Sequence, residues 1–344
     1  MEHPPKPCGL SQDLTLPSSS SSSHTTTTTP RLVYGTAWKK DATADLVYKA
    51  LKCGFRGIDT AAQPRHYHER LVGDGVRRAV AEGLVTRGEL YLQTKFTSIH
   101  DQDPDNLPYD PLAPIAEQVW ASVASSLENL AVPPPPSREG EGGGNENNST
   151  TSSSSSYLDC VVLHSPLPTL EETVAAWQAL EKYVPHRIRH LGIANTPQEI
   201  VEYLLSPPSA AAPELAVRIP PSVVQNRFRR ETGYESALRR LCRDHGVVFQ
   251  TFWTLTGNSQ LVRKSNVVGG LAERVPGGGV SRETVFYALV LGLRGTSVLD
   301  GTTSEEHMRA DLEGIKRIER WAAGEGREMW EDALDSFKQL IQEE

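Results

Sequence analysis

The chain has 344 residues, a net charge of -8 and 38% hydrophobic residues. A mildly acidic balance argues against a nucleic-acid partner held on a basic surface, and the length allows one large domain or two ordinary ones with a sizeable buried core. The four cysteines, Cys8, Cys53, Cys160 and Cys242, have no metal or redox spacing, so no metal is expected, and Cys53 and Cys160 in apolar stretches read as buried thiols of a reducing compartment.

The N-terminal stretch "MEHPPKPCGLSQDL" has no apolar segment of signal-peptide length. The longest apolar run, "FYALVLGL" at 286–293, is too short to span a bilayer. A cytoplasmic protein with no membrane partner is the expectation. Residues 15–29, "TLPSSSSSSHTTTTT", cannot bury apolar surface, so residues 1–30 are expected to form a disordered tail.

From residue 31 onward, short β-branched runs alternate with stretches of helical period. The predicted strands are 32–38, 55–61, 90–96, 158–165, 188–195, 222–228, 247–253 and 295–301. Helical patterns follow each of them, from "TADLVYKALKCG" after the first to "EEHMRADLEGIKRIERWA" after the last. A second low-complexity segment, 133–156, interrupts the series before the fourth strand. Because long loops close at small entropic cost and the pattern continues on both sides, it is expected to be a surface loop within one domain spanning 31–344. Eight strand–helix units predict an α/β protein of the (β/α)8, or TIM, barrel type. An open doubly wound sheet would call for a glycine-rich turn after the first strand, and "GTAWKK" is not one.

In such a barrel the active site lies where strands end and the following loops begin. Polar and aromatic residues at those tips are Thr36 and Trp38, Asp59, Lys95, His164, Asn195, Gln225 and Asn226, Trp253 and Thr254, and Asp300 and Thr302. Taken singly, Asp59 is a turn former, Lys95 a snorkelling side chain and His164 a satisfied interior histidine. Together they put an acid, an amine and an imidazole at one mouth, which packing alone explains poorly. A lysine beside an aspartate stays charged, and its charge lowers the pKa of a neighbouring tyrosine hydroxyl. A neutral histidine orients a carbonyl oxygen. Carbonyl reduction needs such a set, because a hydride arrives at carbon while a proton reaches the developing alkoxide. The loop "QPRHYHE" after Asp59 offers two proton donors, His66 and Tyr67.

These residues resemble the aldo-keto reductase family, of fungal type, over roughly residues 31–330. "GFRGIDTA" followed by "HERLVGDGVRRA" is similar to the family's second strand and helix, with Asp59 at the catalytic aspartate. "LYLQTKF" resembles the lysine strand and gives Lys95. "YLDCVVLHSP" resembles L-D-x-x-x-x-H-x-P and gives His164. "IRHLGIAN" and "VVQNRF" resemble the strands that supply Asn195 and Gln225. The resemblance implies NADPH, with NADH possible, bound in an extended pose without a Rossmann domain. The cofactor-binding set it implies is Asp59, Asn195, Gln225, Trp253, Thr254, Gly257, Gly301, Thr302, His307 and Arg309. Trp253 would stack on the nicotinamide where the family usually has tyrosine. Trp38, Phe96 and His164 would line the pocket of a small carbonyl substrate.

The chain departs from the family pattern at three places. The usual tyrosine position, five residues after the aspartate, is Pro64, in a loop two residues longer. Gly301, Thr302 and His307 stand where a lysine–serine pair and an arginine usually bind the 2′-phosphate. "WTLTGN" replaces S-P-L-G. Tyr67 is taken as proton donor because it keeps the phenol chemistry, with His66 as the alternative. His68 is read as a helix cap. The function expected is NAD(P)H-dependent reduction of aldehydes or ketones, and the alternative is a catalytically weak cofactor-binding or sensing protein on the same scaffold. Oligomeric state is not readable from the residues, and a monomer is the default.

Overall fold

Two short strands come first, β1 (Leu14–Thr15) and β2 (Thr28–Thr29), paired antiparallel. The computed structural model describes residues 9–17, 27–133, 156–206 and 213–342. The predicted disorder over 1–30 therefore fails for 9–17 and 27–30, and the rest of that segment lies outside the described residues. Leu16 explains the difference. It packs with Tyr91, Cys160, Val162, Ala194, Val223 and Val248, with Leu14 against them. An apolar pair on the flank of a polar tract thus fills the N-terminal end of the barrel, and a short run of that kind is invisible to composition.

The barrel strands are β3 (Leu32–Gly35), β4 (Gly57–Asp59), β5 (Tyr91–Phe96), β6 (Leu158–Leu163), β7 (Ile188–Ala194), β8 (Val223–Arg227), β9 (Val248–Phe252) and β10 (Thr296–Asp300). They are all parallel and close in the order β10-β3-β4-β5-β6-β7-β8-β9. All eight fall inside the predicted runs. Side chains alternate between the interior and the helix layer, so Tyr91, Gln93 and Lys95 face one side and Leu92, Thr94 and Phe96 the other.

The helices are α1 (Thr43–Cys53), α2 (Glu69–Ala81), α3 (Ile115–Asn129), α4 (Leu170–Glu181), α5 (Gln198–Leu205), α6 (Ser236–Asp244), α7 (Ser259–Lys264), α8 (Asn266–Arg274), α9 (Arg282–Leu291), α10 (Glu305–Ala322) and α11 (Arg327–Leu340). Some ends have a plain local cause. Thr169 and Glu172 form a reciprocal capping box at α4, and Gly54, at φ 116°, ends α1 in a left-handed turn. Three helices, α7, α8 and α11, lie outside the eight predicted strand–helix units. The first two lie in "SQLVRKSNVVGGLAERVPGGG", where glycines dilute the helical signal, yet α8 packs on α9 and α11. That cover explains why α9 is buried on every side from Thr284 to Leu291.

The 133–156 insert falls mostly outside the described residues. Its flanks are fixed at the N-terminal end of β6, where the Ser156 hydroxyl donates to the Leu127 carbonyl at 2.8 Å. Among the described residues no helix is long and apolar enough to cross a membrane.

His190 on β7 gives the fold an acid-sensitive point. It is buried against the Ser222 hydroxyl, 3.1 Å from Nδ1, and burial, with Arg189 second, pushes its imidazole down to about 4. An unfolded histidine takes its proton near about 6.5. Between those values the unfolded chain binds more protons, so stability falls as pH drops through this window, by about 3 kcal/mol in full. His190→Gln is expected to flatten the dependence of the thermal midpoint between about pH 6.5 and pH 4. An unchanged slope would show that other groups set it.

Candidate active site

At the C-terminal mouth β4 and β5 deliver Asp59 and Lys95, both 1% exposed. The Lys95 ammonium donates to Asp59 Oδ1 at 2.7 Å, to Oδ2 at 2.6 Å and to the Thr60 carbonyl at 2.9 Å. An ammonium has three protons to give, and these contacts use all three. Burial pulls the Lys95 pKa down, and the Asp59 carboxylate works against that.

The loop at residues 60–68 closes over the pair. It is braced from the neighbouring loop by Gln63 Nε2, which donates to the Asp101 carbonyl at 2.6 Å, and by Gln102 Nε2, which donates to the Ala62 carbonyl at 2.7 Å. The two candidate donors point different ways. The Tyr67 ring centroid is 5.2 Å from Lys95 Nζ and 6.0 Å from the His164 ring. His66 instead stacks on Trp38 with centroids 4.0 Å apart. Burial first, and the Asp59 carboxylate second, raise the Tyr67 phenol well above its ordinary value. The sequence predicts the opposite direction, because it counts the lysine charge but neither the desolvation nor the acid that already occupies the lysine. His66 is lowered, by burial and by Arg65. His68 precedes α2 but makes no side-chain cap.

His164 follows β6. Burial, then Lys95, His66 and Arg227, hold its pKa well below the ordinary value, so the imidazole is neutral at physiological pH. Its Nδ1 lies 2.7 Å from Thr97 Oγ1, which leaves Nε2 as the remaining polar atom. The histidine's own carbonyl accepts from Asn195 Nδ2 at 2.9 Å.

The other predicted residues divide into those at the mouth and those engaged elsewhere. Trp38 is 64% exposed and Trp253 51%. Both have positive φ, 63° and 57°, as does Asn195 at 48°. Three non-glycine residues in the left-handed region around one opening mark strain held in place by the fold, which is common at functional sites. Phe96 is not at the mouth. Because it alternates with Lys95, it lies in the core, with its ring centroid 5.7 Å from that of Tyr109. Gln225 Nε2 donates down to Asp59 Oδ1 at 3.1 Å and to Gln250 Oε1 at 3.0 Å. The Thr254 hydroxyl is buried 3.0 Å from that of Thr251. Gly257 leaves room for Arg229, whose Cβ a side chain there would meet at 3.3 Å.

At the β10 tip, Thr302 N donates to Asp300 Oδ1 at 2.9 Å. Gly301 presents its carbonyl to Lys39 Nζ. His307 caps through its backbone, its N donating to Ser304 Oγ at 3.3 Å, and Arg309 is paired with Glu305. The cation that reaches this tip is therefore Lys39, from the loop after β3, where the sequence points to Arg309.

Two more residues escape a reading confined to single strand ends. Lys39 is one. The other is Arg227, whose Nη1 donates to Asn195 Oδ1 at 2.8 Å and whose guanidinium lies 4.7 Å from the Trp253 ring centroid. The run "QNRFRR" carries the signal, a guanidinium one residue past the collected Gln–Asn pair.

Comparison with known proteins agrees with the barrel fold. Residues 146–276 match the model of the aldo/keto reductase family. An NADPH-dependent D-xylose reductase of Meyerozyma guilliermondii is 28% identical over 204 residues, 51% of this chain and 52% of that protein. An NAD(P)H-dependent D-xylose reductase of Candida tenuis is 29% identical over 179 residues, 51% of each. The chain thus spans about half the length of these curated relatives in the matched regions. A crystal structure of an aldo/keto reductase from Brucella melitensis superposes with a TM-score of 0.62, covering 88% of this chain and 93% of that one at 18% identity, a likeness of fold. Over residues 146–276 the chain is similar to the aldo/keto reductase family, and these matches together support an aldo/keto reductase.

Proposed function

We propose that this protein reduces an aldehyde or ketone to the alcohol with NADPH or NADH, and that Tyr67 gives the proton. One observation carries the reading. A Tyr67 ring, a neutral His164 and a buried Lys95–Asp59 pair converge within 6.0 Å at one barrel mouth. The phenol is protonated at neutral pH, as a general acid must be, and its raised pKa works against the transfer, so the charge developing on the substrate oxygen and the nearby Lys95 must offset it. Lys95 sits close enough to stabilise the phenolate left behind, although it has no proton to spare for it. His164 Nε2 is the atom available to orient the carbonyl oxygen.

The residues at the mouth fit a dinucleotide. Trp253 offers an exposed indole for stacking, and Arg227 and Arg229 place positive charge beside Trp253 and Gly257, where a diphosphate would be held. Asn195, Thr254, Gly301, Thr302 and Lys39 complete that cradle. The reduced nicotinamide would supply a hydride to the carbonyl carbon. The D-xylose reductases to which the chain is similar make the open-chain aldehyde of a sugar a first substrate to try. The second reading, a barrel that binds nucleotide and turns over poorly, draws on Asn195 and Gln225, whose amides are already engaged by protein partners.

Titrating tryptophan fluorescence with NADPH and with NADH, beside a panel of aldehydes and ketones, separates the two. Quenching by either nucleotide with steady carbonyl-dependent oxidation is expected, and Trp253→Leu should remove most of the quench. Saturable quenching without turnover on any carbonyl would leave only the second reading. No quenching at all would remove both.

A further inference from the structure

Barrel interiors of this type are usually filled by layers of branched apolar side chains. Directly beneath Lys95 and Asp59 this one carries three glutamines instead, Gln93 on β5, Gln225 on β8 and Gln250 on β9, at 0%, 3% and 0% exposure. β5 and β9 stand opposite each other in the closed order, so the layer spans the full width of the barrel. Its hydrogen bonds run in one direction. The Tyr91 hydroxyl donates to Gln93 Oε1 at 2.8 Å. That contact turns the Gln93 amide nitrogen inward, where it donates to Asp59 Oδ1 at 2.7 Å and to Gln250 Oε1 at 2.8 Å. Gln225 repeats the arrangement, with one proton to Asp59 Oδ1 and one to Gln250 Oε1. Gln250 receives both spare protons on its oxygen, and its own nitrogen is left without a hydrogen-bond partner in the interior. A buried orphan amide is destabilising, yet turning the Gln250 amide over would lose both accepted bonds and set its nitrogen against two N–H donors, so the Gln93 and Gln225 donors fix its orientation.

We propose that Gln93 and Gln250 are positioning residues that hold Asp59, and through it Lys95, in register with Tyr67 by a trans-barrel amide layer. The role rests on the proposed carbonyl reduction. Asp59 Oδ1 receives Lys95, Gln93 and Gln225 together, which fixes the rotation of the carboxylate about its own axis. Lys95 follows because its three protons are all committed to Asp59 and the Thr60 carbonyl. The other ionisable groups around the layer are Tyr67 and His164 above, Tyr91 and Cys160 below, and Glu69 from α2. None of them makes a hydrogen bond to Gln250 among the described residues.

Gln93→Met keeps the volume and removes the inward amide. The expected result is a fall in kcat of about tenfold, the scale of one hydrogen bond to a charged group. The KM for the carbonyl and the fluorescence titration by NADPH should be unchanged, and the pH profile of kcat should shift. Tyr91→Phe, which deletes one oxygen and frees the Gln93 amide to turn over, should move the same quantities the same way by a smaller factor, and it remains informative if Gln93→Met does not fold. Gln250→Met should lower kcat and the thermal midpoint together, because it leaves one amide proton each of Gln93 and Gln225 without an acceptor while removing only one orphan nitrogen.

Stability gives a readout that does not depend on turnover. If Gln93 holds Asp59, the stability lost in Gln93→Met and that lost in Asp59→Ala should fall short of adding in the double variant, because both remove the same hydrogen bond. If the wild type reduces no carbonyl, the reading under Proposed function fails, and this coupling still decides whether the layer holds Asp59. Unchanged kcat and pH profile, with losses of stability that simply add, would make the glutamines packing alone and overturn the proposal.

Discussion

Tyr67→Phe is expected to lower kcat for carbonyl reduction by about a hundredfold or more, the range for losing a positioned general acid, whereas His66→Ala should cost only a few-fold. The two residues are adjacent in sequence, so the contrast tests orientation. Tyr67 lies over Lys95 and beside His164, and His66 lies on Trp38. Removing the Tyr67 hydroxyl deletes one atom from a ring that stays packed, so the thermal midpoint should hardly move and cofactor quenching should persist. His66→Ala would release Trp38, which is largely exposed, and its effect should fall on the KM for the carbonyl. Steady-state kinetics of both variants at one pH, with fluorescence titration as a control, make the measurement. Near-full activity in Tyr67→Phe with loss in His66→Ala would reverse the assignment and make the imidazole the acid.

What could be read in the sequence follows from what each signal encodes. Strand period and strand order are local patterns repeated eight times, so the barrel and its order were legible. That Asp59, Lys95 and His164 share one mouth was legible for the same reason, since each has a bland use alone and only the strand order brings the three tips together. Side-chain direction inside a loop is not periodic. Nothing in "QPRHYHE" says that His66 turns toward Trp38. Phe96 was misplaced because an aromatic at a strand tip was given to the mouth without applying the alternation that had already put Lys95 there. Gln93 and Gln250 lie in mid-strand, each reading as an isolated polar residue until the barrel closes and puts their amides 2.8 Å apart. Lys39 and Arg227 failed on the same ground. Their partners, the Gly301 carbonyl and the Asn195 amide, come from other strands.

The Lys95–Asp59 pair yields the second large effect. Lys95→Met is expected to destabilise the fold by about 3–5 kcal/mol, because it leaves a buried carboxylate without its counter-ion, and to abolish turnover. Gln93 and Gln225 still donate to Asp59, so the charge is solvated in part but not balanced. Adding Asp59→Asn to Lys95→Met should restore much of the lost stability. The asparagine oxygen still accepts from the two glutamine amides, and no charge remains buried. Activity should stay absent, since a neutral pair cannot stabilise a phenolate at Tyr67. Urea denaturation of the wild type, both single variants and the double variant closes the cycle. A double variant no more stable than Lys95→Met would mean that the lysine stem's packing sets the stability, with the charge pair contributing little. A strongly favourable coupling between the two positions would mean that the same buried charges hold this end of the barrel together and serve the chemistry at its mouth.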